Sequence, residues 1–163
     1  SLIGVKMTDG NNEIILATRN GIAVRFNESK VRSTGRSAQG PRGIKLEDDD
    51  CVIGMVVFNE NETLLTVTEN GYGKRTSISE YRLVNRGSIG VRNIICSERN
   101  GKVVAINSVK DNDEIMLITM KGITIRTHAS QVSVIGRNTQ GVRLITLEDN
   151  DKLVGLTKIA GEN

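Results

Sequence analysis

The stretch E-I-I-L-A-T-R-N-G-I-A-V-R, Glu13 to Arg25, decides the fold because it returns twice. T-L-L-T-V-T-E-N-G-Y-G-K-R begins at Thr63 and E-I-M-L-I-T-M-K-G-I-T-I-R at Glu114, a period of 50 and then 51 residues. Each copy holds an apolar run, a Thr, a turn glycine and a closing Arg. A fixed period of this size marks a repeat architecture, in which one supersecondary unit is stacked on the next. The Asn20-Gly21 pair, repeated as Asn70-Gly71 and Lys121-Gly122, supplies the positive φ of a tight hairpin between two short strands, Ile14 to Thr18 and Ala23 to Phe26 in the first copy.

Two further segments keep step. G-R-S-A-Q-G-P-R-G-I-K-L starts at Gly35, N-R-G-S-I-G-V-R-N-I-I-C at Asn85 and G-R-N-T-Q-G-V-R-L-I-T-L at Gly136. A third strand follows each glycine loop, as in Gly43 to Leu46, and an acidic turn such as Glu47 to Asp50 leads to a fourth. The fourth strands are V-I-G-M-V-V-F from Val52, V-V-A-I-N-S-V from Val103 and L-V-G-L-T-K-I from Leu153, with L-I-G-V-K-M-T from Leu2 as the closing strand of a preceding copy. The expected organisation is an end strand in 1–12 and repeats at 13–62, 63–113 and 114–163. No window of a dozen residues shows helical apolar spacing. The chain therefore reads as all-β, a propeller-like array of about three four-stranded blades that bury one another's sheet faces.

Composition agrees. Aromatic residues make up 2% of the chain and Trp is absent, so the apolar mass is Val, Ile and Leu, which suit pleated surfaces. Gly is frequent at 17 and Pro almost missing at 1, as short strands joined by glycine turns require. Cys51 and Cys96 lack the spacing of a zinc or redox motif and read as buried or half-buried free thiols, which places the chain in a reducing cytosol. No apolar run approaches the ~18 residues of a membrane helix. A first residue Ser1 in the middle of a repeat implies a segment of a longer protein.

The net charge of +3, from 22 basic and 19 acidic residues, does not by itself argue for a nucleic-acid partner. Placement does. Nine of the thirteen arginines fall in columns that are Arg in all three copies: Arg25, Arg75 and Arg126; Arg36, Arg86 and Arg137; Arg42, Arg92 and Arg143. Lys74, beside Arg75, is counted with them. The last two columns lie in the glycine loop, where bare backbone lets a phosphate approach closely. The planar guanidinium fork grips phosphate oxygens bidentately. The alternative is that each Arg pairs with the acidic turns or covers the sheet with its methylenes. Scarcity of aromatic side chains argues against single strands, whose bases stack on aromatic platforms.

With these motifs in view, the chain resembles a β-pinwheel, the C-terminal domain of the DNA gyrase A subunit. The likeness runs through 69–87, 114–127 and 135–156, and covers essentially the whole chain. It implies that late blades of that domain are present and that duplex DNA is wrapped along their edge. It also implies a parent type II topoisomerase that introduces negative supercoils. The partners would be the B subunit together with the rest of the A subunit, in an A2B2 complex in the bacterial cytoplasm, with ATP and magnesium bound elsewhere. The family's basic box, Q-R-R-G-G-K-G, is not reproduced; its nearest counterpart, Val84 to Gly90, keeps Arg86-Gly87 and the last glycine. The loop position carries over, to Arg36, Arg86 and Arg137. A protein-binding propeller and the corresponding domain of topoisomerase IV are the competing readings.

No catalytic constellation is legible. His128 is the single histidine and has no nucleophile on a glycine elbow nearby. The acidic runs at Glu47 and Glu148 lack the alternating ligand pattern of a calcium loop and read as solvated turns. The glycine loops lack the G-K-[ST] ending of a nucleotide loop. The family's transesterifying Tyr lies in another domain, so neither Tyr72 nor Tyr81 receives that role. No cofactor or metal is expected in this segment.

Overall fold

The computed structural model describes residues 12–27, 46–59, 61–84 and 90–159. Eleven strands are present in these segments: β1 Glu13–Thr18, β2 Ile22–Asn27, β3 Val52–Phe58, β4 Thr63–Thr68, β5 Tyr72–Ser77, β6 Val91–Arg92, β7 Val103–Val109, β8 Glu114–Thr119, β9 Thr124–His128, β10 Val142–Arg143 and β11 Leu153–Ile159. They build three antiparallel sheets in the orders β3-β1-β2-β6, β10-β5-β4-β7 and β11-β8-β9. The expected end strand at Leu2 and the third strand at Gly43 to Leu46 fall wholly or mostly outside the described residues.

The hairpin turns carry the column of glycines, with one adjustment. Gly21, Gly71 and Gly122 have φ of 96°, 90° and 88°, whereas neither Asn20 nor Asn70 has a positive φ. The loop is thus the three-residue kind, a turn followed by one left-handed residue. Each is closed by the glycine N–H donating to the last Thr carbonyl of the preceding strand, at 3.1, 3.1 and 2.9 Å.

Repeat and sheet do not coincide. The four strands expected within one repeat are shared between two sheets, because the third strand of each repeat pairs with the hairpin of the repeat before it. β6 pairs with β2, Ile22 opposite Arg92, and β10 with β5, Tyr72 opposite Arg143. Beyond these two-residue strands, the N–H groups of Asn93 and Ile94 both donate to Gly21 O, and those of Leu144 and Ile145 to Gly71 O. A Cβ on Gly71 would sit 2.6 Å from Ile145 O, so absence of a side chain matters there for packing as well as for φ.

Two single 3₁₀ turns, Ile78–Glu80 and Ala129–Gln131, follow β5 and β9 at matching positions and were not expected from the strand pattern. The chain then runs back beside the preceding hairpin: Arg25 bridges Leu83, and Arg75 bridges Val134.

One core cluster joins the first two sheets through Ile15, Val56, Phe58, Leu64, Tyr81 and Ile94. Another joins the second and third through Leu65, Val67, Val109, Ile115, Val132 and Ile145. This explains the burial of the strands. β4 lies between two neighbours and is buried on both faces, whereas β8 alternates buried and half-buried residues along its length. Cys96 is half-buried, but Cys51 is exposed, against the expectation for a free thiol. His128 is exposed.

Candidate nucleic-acid interface

The loop between Gly136 and Gly141 shows how the arginine columns are presented. Its carbonyls at Gly136 and Arg137 accept from the Lys74 ammonium at 2.6 and 3.1 Å. Glu80 accepts the Arg137 N–H at 3.1 Å. From the adjoining turn, Ile95 N–H donates to Thr139 O at 2.8 Å and Asn100 Nδ2 to Gln140 O at 3.0 Å. At Gly141, φ is 80° and a Cβ would lie 2.8 Å from Gly73 O, so the loop presses directly on β5. Fixing a loop from several sides reduces the ordering cost of any ligand it receives.

Lys74 is itself completely buried. Burial pushes its pKa down to about 8, against the carboxylate of Glu80, which raises it, while the charge of Arg137 lowers it further. Lys74 therefore holds the loop from beneath, its ammonium engaged by the two loop carbonyls.

From this base the loop brings two columns together. Arg137 Nη1 donates to Arg92 O at 2.9 Å, across the junction between consecutive repeats. Arg92 is exposed and its side chain has no partner among the described residues. Arg143, also exposed, donates through Nη2 to the Tyr72 hydroxyl at 2.9 Å. Among the described residues none of these three arginines forms a salt bridge. The alternative in which loop arginines pair with the acidic turns is not what their geometry shows. Arg36, Arg42 and Arg86 lie outside the described residues.

The first column behaves differently. Arg25 forms a 2.5 Å salt bridge with Glu13 and donates to Ile78 O and Tyr81 O of the next repeat. Arg75, 5% exposed, donates to Val132 O at 2.9 Å and bridges Asp111 at 2.6 Å. Both clamp one repeat to the 3₁₀ turn of the next, so their guanidinium groups are engaged within the fold. Among the described residues Arg126 makes only the cross-strand bridge to Glu114, at 2.7 Å, and stays largely exposed.

The acidic turns are structural caps. Asp50 Oδ1 accepts the N–H of Asn20 and of Cys51, both at 2.9 Å. Asp151 Oδ1 does the same for Lys121 and Lys152, at 3.0 and 2.9 Å, and Asp151 is buried where a solvated residue was expected. Burial works to raise the Asp151 pKa, but hydrogen bonds from Thr119 and those two N–H groups, with the charge of Lys121, hold it below the ordinary carboxylate value.

The column reading missed Arg99 and Tyr72. Arg99 stands where the other copies have Asp49 and Asn150, and Tyr72 where they have Ile22 and Ile123. The signal lay in departure from the repeat. Arg99 Nε donates to the Tyr72 hydroxyl at 3.0 Å, so that hydroxyl joins two arginines.

A family model described as DNA gyrase C-terminal domain, beta-propeller, matches the chain three times, at residues 12–59, 62–110 and 113–160. The chain is 48% identical over 159 residues to the DNA gyrase A subunit of Salmonella typhimurium, covering 98% of this chain. It is 45% identical to the DNA gyrase A subunit of Escherichia coli over the same share. It spans about 18% of the length of these relatives. The fold matches the crystal structure of the C-terminal domain of DNA topoisomerase IV with a TM-score of 0.87 at 25% identity, covering 96% of this chain and 49% of that one. It matches the DNA gyrase A C-terminal domain with a TM-score of 0.60 at 24% identity, covering 95% of this chain and 68% of that one.

Proposed function

Because the chain belongs to the DNA gyrase C-terminal domain family of β-propellers, we propose that it binds double-stranded DNA through the phosphate backbone. In this reading it bends the duplex along the edge that carries Arg92, Arg137 and Arg143. The observation that carries it is the junction where Arg137 Nη1 donates to the backbone carbonyl of Arg92, so that consecutive repeats bring the two columns side by side with no salt bridge to either side chain among the described residues. Arg36, Arg42 and Arg86 extend the same two columns. Arg126 is a weaker candidate at the exposed end, while Lys74 and the Arg25 and Arg75 clamps support the edge from within.

Contacts to phosphate position a protein without reading sequence, so duplexes of unrelated sequence bind alike. The wrap serves negative supercoiling in a parent enzyme that joins a B subunit to the remainder of the A subunit in the cytoplasm, with ATP and magnesium bound outside this segment. The same wrap in a topoisomerase IV A subunit is the second reading, favoured by the higher TM-score with that domain. Supercoiling against decatenation by the parent enzyme separates the two.

The test is a salt titration against linear duplex with single strand as control. Six loop arginines that each neutralise about one phosphate give a slope of log K against log salt of roughly −5. A slope near zero, or equal affinity for single strands, overturns the proposal.

A further inference from the structure

Tyr72 supports an arrangement that the other repeats lack. The Arg99 and Arg143 guanidinium carbons each lie 5.2 Å from the centroid of its ring, and both groups donate to its single hydroxyl. Stacking on an aromatic face and donating to its hydroxyl fix two flexible side chains in one geometry. Each guanidinium has five N–H donors, and one from each is used on the phenol. Both arginines are exposed, and neither forms a salt bridge among the described residues. Two like charges are thereby held together, with one donor of each engaged by the phenol. The phenol pKa is lowered first by the Arg99 hydrogen bond and then by that of Arg143, against burial, which raises it.

The pair spans a repeat boundary. Arg99 lies in the turn before β7, which caps the β4–β5 hairpin through Glu69 N–H to Lys102 O and Asn70 N–H to Asn100 O. Arg143 is in β10, contributed by the following repeat. We propose that Tyr72, Arg99 and Arg143 form a phosphodiester clamp on the middle blade, a contact for duplex backbone additional to the repeated arginine columns. This rests on the DNA-binding reading and names Arg99 and Tyr72 as members of the interface.

The variants Arg99→Asn and Tyr72→Ile import the residues found at the matching positions of the third repeat, so the fold has a precedent for each. Lys110→Ala, at the opposite end of β7, is the control for loss of one exposed charge. The expected result for Arg99→Asn is a slope of log K against log salt flatter by about 0.9, with unchanged melting temperature. Tyr72→Ile, which releases both arginines, weakens duplex binding several-fold, and adding Arg99→Asn to it costs less than it does alone. Lys110→Ala leaves the slope as it was. In the unsubstituted chain, the ring-carbon NMR signal of Tyr72 shifts on adding duplex and not on adding inorganic phosphate at the same phosphate concentration.

If the unsubstituted chain binds duplex but Arg99→Asn keeps its slope, or lowers only the melting temperature, the clamp assignment fails while the DNA reading stands. An equal NMR shift with inorganic phosphate makes this a free-phosphate site and overturns the clamp. Absence of duplex binding by the unsubstituted chain overturns both.

Discussion

The Lys74 ammonium donates to Gly136 O across 2.6 Å, from a side chain with no solvent exposure, and so ties the arginine loop of one repeat to the β-strand of the one before. Its pKa is pushed down to about 8 by burial, from an ordinary value of 10.5. Between these values the folded chain has released a proton that the unfolded chain still holds, so stability rises with pH across that window. Cys96 and Tyr81, both raised by burial, work in the opposite direction at alkaline pH. They are common to a Lys74→Met variant and cancel in the comparison. Urea unfolding is expected to show the native chain gaining stability relative to Lys74→Met from pH 8 to pH 10; a constant difference would contradict it.

The turn glycines differ in what surrounds them. Gly71 needs its left-handed φ and also stands against Ile145 O, while a Cβ on Gly122 would have nothing within 4 Å. Gly122→Ala is expected to cost about 1–2 kcal/mol, the penalty of a left-handed Ala. Gly71→Ala adds displacement of the Ile145 carbonyl and is expected to cost clearly more. Equal costs in denaturant melts would show that the repeat contact at Gly71 is soft.

Much of this fold was legible in the glycine and apolar columns, since a hairpin needs a left-handed residue and a core strand needs β-branched side chains wherever it occurs. The exchange of β6 and β10 between sheets was not, because two residues are too short to show alternation. The arginine columns pointed to the glycine loops, and the column that follows a strand directly was the one open to a structural role; the partners that engage Arg75, Val132 O and Asp111, lie in distant segments and could not be read from the repeat. Lys74, where the other copies have Val24 and Ile125, and Arg99, where they have Asp49 and Asn150, were visible only as breaks in the pattern.

Arg75 and Arg92 should accordingly part company on substitution. Arg75→Ala leaves Val132 O without its donor, at a cost of about 1–3 kcal/mol for an orphaned buried acceptor, while its salt-bridge partner Asp111 is exposed and adds little. Arg92→Ala costs under about 0.5 kcal/mol, as exposed substitutions do. In salt titrations at a temperature where both variants are folded, only Arg92→Ala should flatten the slope. A flatter slope for Arg75→Ala with full stability would move that residue to the DNA-facing set.

Acid should loosen the turns through Asp151. Its depressed pKa means that the ionised carboxylate stabilises the fold above the unfolded value near 3.8, and that this contribution is lost as pH falls through the lower folded value. The middle repeat has Asn100 at the matching position, and Asn70 N–H there donates to Asn100 O. Asp151→Asn is expected to be mild at neutral pH and to lose less stability than the native chain below about pH 4. A parallel acid profile for the two chains would exclude Asp151 as a contributor.

The junction between the first two sheets contains a buried polar chain where the next junction is apolar. Tyr81 OH donates to Asn93 Oδ1 at 2.5 Å, and Asn93 Nδ2 donates to Thr66 Oγ1 at 3.1 Å, all three residues having no solvent exposure. The corresponding positions one repeat on are Val132, Leu144 and Leu117. A satisfied buried network contributes modest net stability, whereas an orphaned member costs roughly 1–3 kcal/mol. Asn93→Leu alone strands both the Tyr81 hydroxyl and the Thr66 hydroxyl. The triple variant Thr66→Leu, Tyr81→Val, Asn93→Leu removes these three polar members and imports a set that already packs in this chain. It is therefore expected to be more stable than Asn93→Leu alone, with strong non-additivity among the three changes. Urea melts of the single and triple variants measure this. A triple variant weaker than the sum of its single substitutions would mean that the network, and not the apolar contacts around it, holds this junction together.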